Sequence, residues 1–280
     1  MARLGLCLIL SVGLAVGVLF AVDPSLDLRL ARFVHALKST GALDRTEPLI
    51  AVIRDLNVYL IVSVLALCAV CITMQIRRRS DTLPPVRACI LILLAIAIAP
   101  GLIVNAVLKE NWSRPRPGAV LASGNDSSFR AWWDPTGNCK RNCSFASGEA
   151  SAAFTTLAIA VVTPLAIRYT AITLALLYGI LIGAIRVAAG GHFVSDVVFA
   201  GVISALVVWA LHGLIYRWPA TRVSEEGMRA ALEAASRLVL DRSSALLRTV
   251  RRAAFGSARR RPSVPDRVAA ESSAQARAAS

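Results

Sequence analysis

Six windows of about 20 apolar residues govern what this chain can become, because a helix of that length crosses a bilayer core about 30 Å thick. They fall at about 5–22, 57–76, 88–108, 150–167, 170–187 and 196–216. The first window shares features with a signal peptide, a short basic start and Ala21 near its end. Its run from Cys7 to Val22 is long, however, and has no clean small-x-small cut site, which favours an uncleaved span. A mean hydropathy of +0.62 with 17% charged residues excludes an ordinary soluble domain. The expected fold is all-α: an integral membrane domain of six helices over residues 1–216, then a basic tail over 217–280. That tail reads as an amphipathic helix at about 223–255 and as disordered beyond it.

The net charge of +14 is no nucleic-acid signature in this setting. From Arg217 onward there are thirteen arginines against six acidic residues, a surplus of seven that follows the last span. Such a tail suits the anionic lipid of a cytoplasmic leaflet. Six spans place the loops after spans one, three and five on one side and both termini on the other. The Arg77-Arg78-Arg79 cluster and the tail mark their side as cytoplasmic, so the long loop 109–149 is expected to face the periplasm. Cys139 and Cys143 in that loop, within "CKRNC", are spaced for a small-loop disulfide in an oxidising compartment.

The ionisable residues expected on that side come from three distant segments. "LKENWSRPRPG" supplies Lys109 and Arg116, "SFASGEAS" supplies Ser147, Gly148 and Glu149, and "IRVAAGGHFVSDV" supplies Arg186, His192 and Asp196. Charged groups at span ends are expensive, and their convergence marks a site. The chemistry they suit is anion handling. Lys109 and Arg116 bring fixed positive charge and multiple donors. Ser147 and Gly148 open a helix, where backbone N–H groups and the helix dipole favour phosphate. His192 is suited to nucleophilic or acid–base work near neutral pH. Asp196, one helical turn on, is placed to hold its imidazole in one tautomer. Nothing in the set has the ligand pattern of a metal cage, and no cofactor is implied. Taken singly, each residue has a plain structural role as a snorkelling cation, a helix cap or a loop residue. Their combination points to a site.

At these residues the chain resembles the phosphatidic acid phosphatase/vanadium haloperoxidase superfamily. The matching patterns are K-x6-R-P from Lys109 to Pro117, S-G-x from Ser147 to Glu149, and R-x5-H-x3-D over Arg186, His192 and Asp196. The resemblance implies metal-independent hydrolysis of a lipid phosphate through a phosphohistidine. His192 would be the nucleophile and Asp196 its orienting partner, with Lys109, Arg116, Arg186, Ser147 and Gly148 on the phosphate. Two residues depart from the family pattern. Ile185 stands where Ser usually precedes the Arg of the third motif. Glu149 stands where a His usually protonates the leaving group, and a carboxylic acid can do that work.

The "C-S-F-x-S-G-E-A-S" form is similar to a bacterial branch that includes lipid A phosphatases, particularly those acting at the 4′-position. Lipid A is therefore the first expected substrate, with undecaprenyl diphosphate and phosphatidic acid or phosphatidylglycerol phosphate as alternatives. The setting implied is a bacterial inner membrane, with the site facing the periplasm and the tail cytoplasmic. A reading of another class is a catalytically inactive relative that binds lipid phosphates or scaffolds partners. Arg114 lies close to the motifs without an assigned role, and Asn105, His35 and His212 read as structural.

Overall fold

The computed structural model describes residues 2–41, 47–78 and 82–256, and every regular element among them is a helix. α1 (Ala2–Val22) carries no charge beyond Arg3 and has a mean composition of Leu, Val and Gly that suits lipid on most of its surface. α2 (Ser25–Ser39) follows Pro24, with Asp27 in its first turn and Lys38 in its last, both favourable to the helix dipole. α3 (Glu47–Arg78) starts on an acidic residue and a proline, a pairing suited to a helix N-terminus. α4 (Val86–Ile96) begins after Pro84-Pro85. Inside the same span Pro100 has no N–H to offer, and the helix widens into a π-helical stretch over Ala97–Leu108 before closing at Lys109–Asn111. The long loop contains a short helix, α5 (Pro117–Ala122).

The fourth expected span departs from expectation. Instead of one helix over 150–167, there are two short ones, α6 (Gly148–Phe154) and α7 (Leu157–Val162), separated at Thr155-Thr156. Both threonine hydroxyls donate back to carbonyls of the preceding turn, to Ala152 at 2.6 Å and Ala153 at 2.7 Å, which competes with the regular ladder. At Pro164 the chain turns, and α8 (Leu165–Ala188) starts five residues before the window at 170–187 suggests. The hairpin therefore sits at Thr163-Pro164 rather than in the gap between the windows at 150–167 and 170–187. Arg168 instead donates from Nε and Nη2 to the Thr163 carbonyl, at 3.0 and 2.8 Å. α9 (Val194–His212) continues as a π-helical turn to Arg217.

Among the described residues five helices are long and apolar enough to cross a membrane: Arg3–Val22, Glu47–Arg77, Val86–Asn111, Leu165–Ala188 and Val194–Arg217. Gly148–Val162 is apolar but shorter, and it lies inside the bundle with Ala150, Ala153, Phe154, Leu157 and Ala158 buried. Leu14, Leu67, Leu174 and Leu177 are exposed, as suits a lipid-facing surface. Close approach at the centre depends on small residues. A Cβ on Gly179 would lie 2.2 Å from the Phe154 ring, so only glycine lets α6 sit against α8. Ser151 and Ser204 share a hydroxyl hydrogen bond of 2.8 Å between α6 and α9.

The contact pattern separates residues 1–229 from residues 230–280. In the first unit Glu225, at the head of α10 (Glu225–Gly256), accepts from the Val86 N–H at 2.6 Å and the Arg87 N–H at 3.3 Å, capping the start of α4. In the second unit the same helix exposes Leu238, Val239, Leu246, Leu247 and Val250. The described part of the tail is helical over Glu225–Gly256, and the disorder expected beyond it falls outside the described residues. Cys139 and Cys143 are disulfide-bonded, with Cα atoms 5.8 Å apart.

Candidate active site

Helix ends assemble the site. The end of the α4 span brings Lys109, the loop after it Arg114 and Arg116, the start of α6 Ser147, Gly148 and Glu149, the end of α8 Arg186, and the connection into α9 His192 and Asp196. All three segments singled out in the sequence meet at one end of the bundle.

His192 is 2% exposed, and its Nδ1 lies 2.7 Å from the Ser144 carbonyl oxygen. A carbonyl only accepts, so Nδ1 carries the proton and Nε2 keeps its lone pair for chemistry. Asp196 was the partner expected from the sequence. Its Oδ2 stands 3.8 Å from Nδ1, one layer back. There it accepts from the Ser144 hydroxyl at 2.5 Å and the Phe193 N–H at 2.8 Å. Ser144 therefore touches both residues, the imidazole through its carbonyl and the carboxylate through its hydroxyl.

The cations take up positions around this pair. A Cβ on Gly148 would lie 3.0 Å from Lys109 Nζ and 2.5 Å from Asn105 Oδ1, so the glycine lets Lys109 reach the mouth of α6. Gly191 plays the same part for Arg186, whose Nη2 would be 2.6 Å from a Cβ there. Arg116 is held by the loop, donating to the Asn142 carbonyl at 3.1 and 3.0 Å and to its side-chain oxygen at 2.8 Å. Ser147 caps α6, its hydroxyl accepting from the Ala150 N–H, while its own N–H donates to the Asp196 carbonyl at 3.3 Å. That leaves the Ser147 hydroxyl proton and the N–H groups of the first turn to meet an anion. Glu149 faces two guanidinium groups, Arg186 Nε at 3.5 Å and Arg54 Nε at 3.2 Å.

The sequence profile of the PAP2 superfamily matches residues 88–222, a segment that contains every one of the residues expected at the site. Residues 88–222 are a PAP2 superfamily domain. Three relatives match part of the chain, all called lipid A 4′-phosphatase. The protein of Francisella tularensis subsp. novicida is 36% identical over 132 residues, which is 47% of this chain and 60% of that protein. Those of Rhizobium etli and Rhizobium leguminosarum are 39% and 40% identical over 116 and 115 residues, 41% of this chain in each case. The alignments cover 45% and 49% of those two proteins, so the chain spans about half the length of the relatives it matches. No solved structure matches it.

Electrostatics in the PAP2 domain favour anions and a neutral imidazole. Burial pushes the His192 imidazole below its ordinary range, with Arg186 and Lys109 adding to the effect and Asp196 opposing it. Several contributors escaped the sequence reading. Arg114 is fully buried and spans Asp196, Ser195 and Asp27, and Asp27 and Arg54 lie outside the PAP2 domain altogether. A faint signal existed for Asp27, the only acidic residue in α2. Ser144 offered none, because its role uses a backbone carbonyl and a hydroxyl whose partners are 48 and 52 residues away.

Proposed function

We propose that this protein is a metal-independent phosphatase of a membrane lipid, with lipid A as its substrate and the 4′-phosphate as the group removed. The observation that carries the reading is the His192 environment: a neutral imidazole with its proton held on Nδ1, beside Lys109 and Arg186. The names of the three relatives support the substrate.

In the proposed reaction Nε2 of His192 attacks phosphorus, the P–N bond forms and the ester P–O bond breaks. Lys109, Arg116 and Arg186 stabilise the charge on the phosphoryl oxygens, and Ser147 and Gly148 donate to them. Glu149 gives a proton to the departing sugar oxygen, then takes one from the water that attacks the phosphohistidine. The P–N bond breaks, its electron pair returns to Nε2, and inorganic phosphate leaves. A second role for Glu149 has its own support, since its oxygens face Arg54 and Arg186: it orients Arg186 for the phosphate.

The site faces the periplasm in this reading and the tail lies on the cytoplasmic side, where its arginines meet anionic lipid. The Cys139–Cys143 disulfide agrees with an oxidising compartment. The experiment is phosphate release by the purified protein in detergent, with EDTA present, from lipid A, undecaprenyl diphosphate and phosphatidic acid. Release from lipid A that is lost in His192→Ala is the expected result. Release from another lipid moves the substrate, and no release from any supports a lipid-phosphate-binding relative without activity.

A further inference from the structure

A continuous chain of buried polar contacts joins α2 to the nucleophile. Asp27 Oδ2 accepts from Arg114 Nη2 at 2.8 Å, and Arg114 Nη1 donates to Asp196 Oδ1 at 2.5 Å. Asp196 Oδ2 accepts from the Ser144 hydroxyl at 2.5 Å, and the Ser144 carbonyl accepts from His192 Nδ1 at 2.7 Å. Ser195 braces the far end, its N–H donating to Asp27 Oδ1 at 3.1 Å and its hydroxyl to Oδ2 of the same carboxylate. Arg114 also gives Nε to the Arg130 carbonyl at 2.9 Å and lies 4.3 Å over the Phe193 ring. Asp27, Arg114, Ser195 and Asp196 are each 2% exposed or less.

Two carboxylates share one guanidinium here, in a place where charge is costly. A buried Asp196–Arg114 pair alone would satisfy charge balance. The second carboxylate leaves the cluster with one net negative charge behind the imidazole. Burial pushes the Asp27 carboxyl up, against the pull of Arg114. Such an arrangement is poor value as a stability device, because buried ion clusters rarely outperform apolar packing. It does something packing cannot, in that it divides the pull of Arg114 and leaves Asp196 charge to act on His192 and Ser144.

We infer that Asp27, acting through Arg114, is a positioning residue for His192, and that α2 is thereby part of the catalytic apparatus although it lies outside the PAP2 domain. This rests on His192 being the nucleophile. The groups facing His192 are Asp196 from α9, Arg186 from α8 and Lys109 from the α4 span, with Ser144 on Nδ1. Removing the Asp27 charge shifts Arg114 wholly onto Asp196 and weakens support for the positively charged imidazole.

The test is the titration of His192 by NMR in histidine-labelled full-length protein in detergent, with resonances assigned through His192→Gln. The chain has three histidines, so the spectrum is simple. Asp27→Asn and Asp27→Ser are compared with wild type. The expected result is a His192 titration moved down by on the order of half a pH unit in both variants. Lipid A turnover falls about tenfold or more, with KM and inhibition by inorganic phosphate within about twofold of wild type. An unmoved titration overturns the inference, as does a parallel loss of phosphate inhibition. Recovery of both variants only as aggregates makes Asp27 a folding residue and equally overturns it. The titration needs no turnover, so an inactive wild type refutes the phosphatase reading while the link from Asp27 to His192 is still decided.

Discussion

The carbonyl oxygen of Ser144 lies 2.7 Å from His192 Nδ1, closer than the Asp196 carboxylate at 3.8 Å. A backbone acceptor therefore selects the tautomer, and the carboxylate works from behind it through the Ser144 hydroxyl. Ser144→Ala keeps the carbonyl and removes only that hydroxyl. It is expected to lower kcat about tenfold with little change in KM, since a buried carboxylate loses one donor worth roughly 1–3 kcal/mol. Steady-state kinetics on lipid A check the split.

Acidity offers a second test. Burial holds the His192 imidazole below its ordinary 6.5, so the neutral form that the proposed attack requires persists as pH falls past that value. kcat/KM is expected to stay level through pH 6.5 and to decline only at lower pH. The same shift has a stability consequence with a definite sign. Below 6.5 the unfolded chain takes up a proton on this residue before the folded protein does, so stability falls with pH from 6.5 down through the folded value and is unaffected above. Thermal unfolding should show wild type losing more Tm on acidification than His192→Gln.

Glu149 separates two roles by leaving group. Glu149→Gln keeps the shape and cannot give up a proton. As leaving-group acid, its loss lowers kcat on lipid A by about 10²-fold while hydrolysis of p-nitrophenyl phosphate, whose leaving group needs no proton, changes less than about threefold. Equal losses on both substrates with a raised KM assign Glu149 to orienting Arg186 instead.

Gly148 is a position where one methyl group decides the site. In Gly148→Ala the new Cβ falls 2.5 Å from Asn105 Oδ1 and 3.0 Å from Lys109 Nζ, so both side chains must move. The expected cost is about 1–3 kcal/mol of stability, with inhibition by inorganic phosphate weakened about tenfold as Lys109 is displaced. Tm and the phosphate inhibition constant measure the two effects separately.

The disulfide steadies the loop that holds Arg116, a proposed phosphate contact. Asn142, which holds Arg116, is flanked by the bridged Cys143, and the Cys143 N–H donates to the Lys109 carbonyl at 3.2 Å. Replacing both Cys139 and Cys143 by Ser is expected to cost roughly 2 kcal/mol on a chain-entropy account. KM should rise more than kcat falls, because the loosened groups are the proposed substrate contacts. Alkylation of native protein without reductant should modify neither cysteine.

Much of this was legible in the chain. Apolar windows identified the spans, since bilayer thickness imposes a length that composition must meet. The residue types and spacing of Lys109, Arg116, Arg186, His192 and Asp196 pointed to anion chemistry, since those side chains are costly at span ends without a purpose. The window at 150–167 misled because hydropathy does not register Thr155-Thr156 bonding back to the preceding turn, and Pro164 moved the hairpin.

By itself, then, the sequence determined the helical membrane class, the segments that converge and the type of charge they carry, all properties of local composition and order. Only the tertiary structure decided which atoms meet. It put Ser144 rather than Asp196 against His192, turned Glu149 toward Arg54 and Arg186, and placed Asp27 beneath Arg114 across 87 residues of chain. Those pairings depend on how the ends of the α4 span, α6, α8 and α9 pack with α2, and a buried charge finds its partner through space, with no trace in the spacing of neighbours.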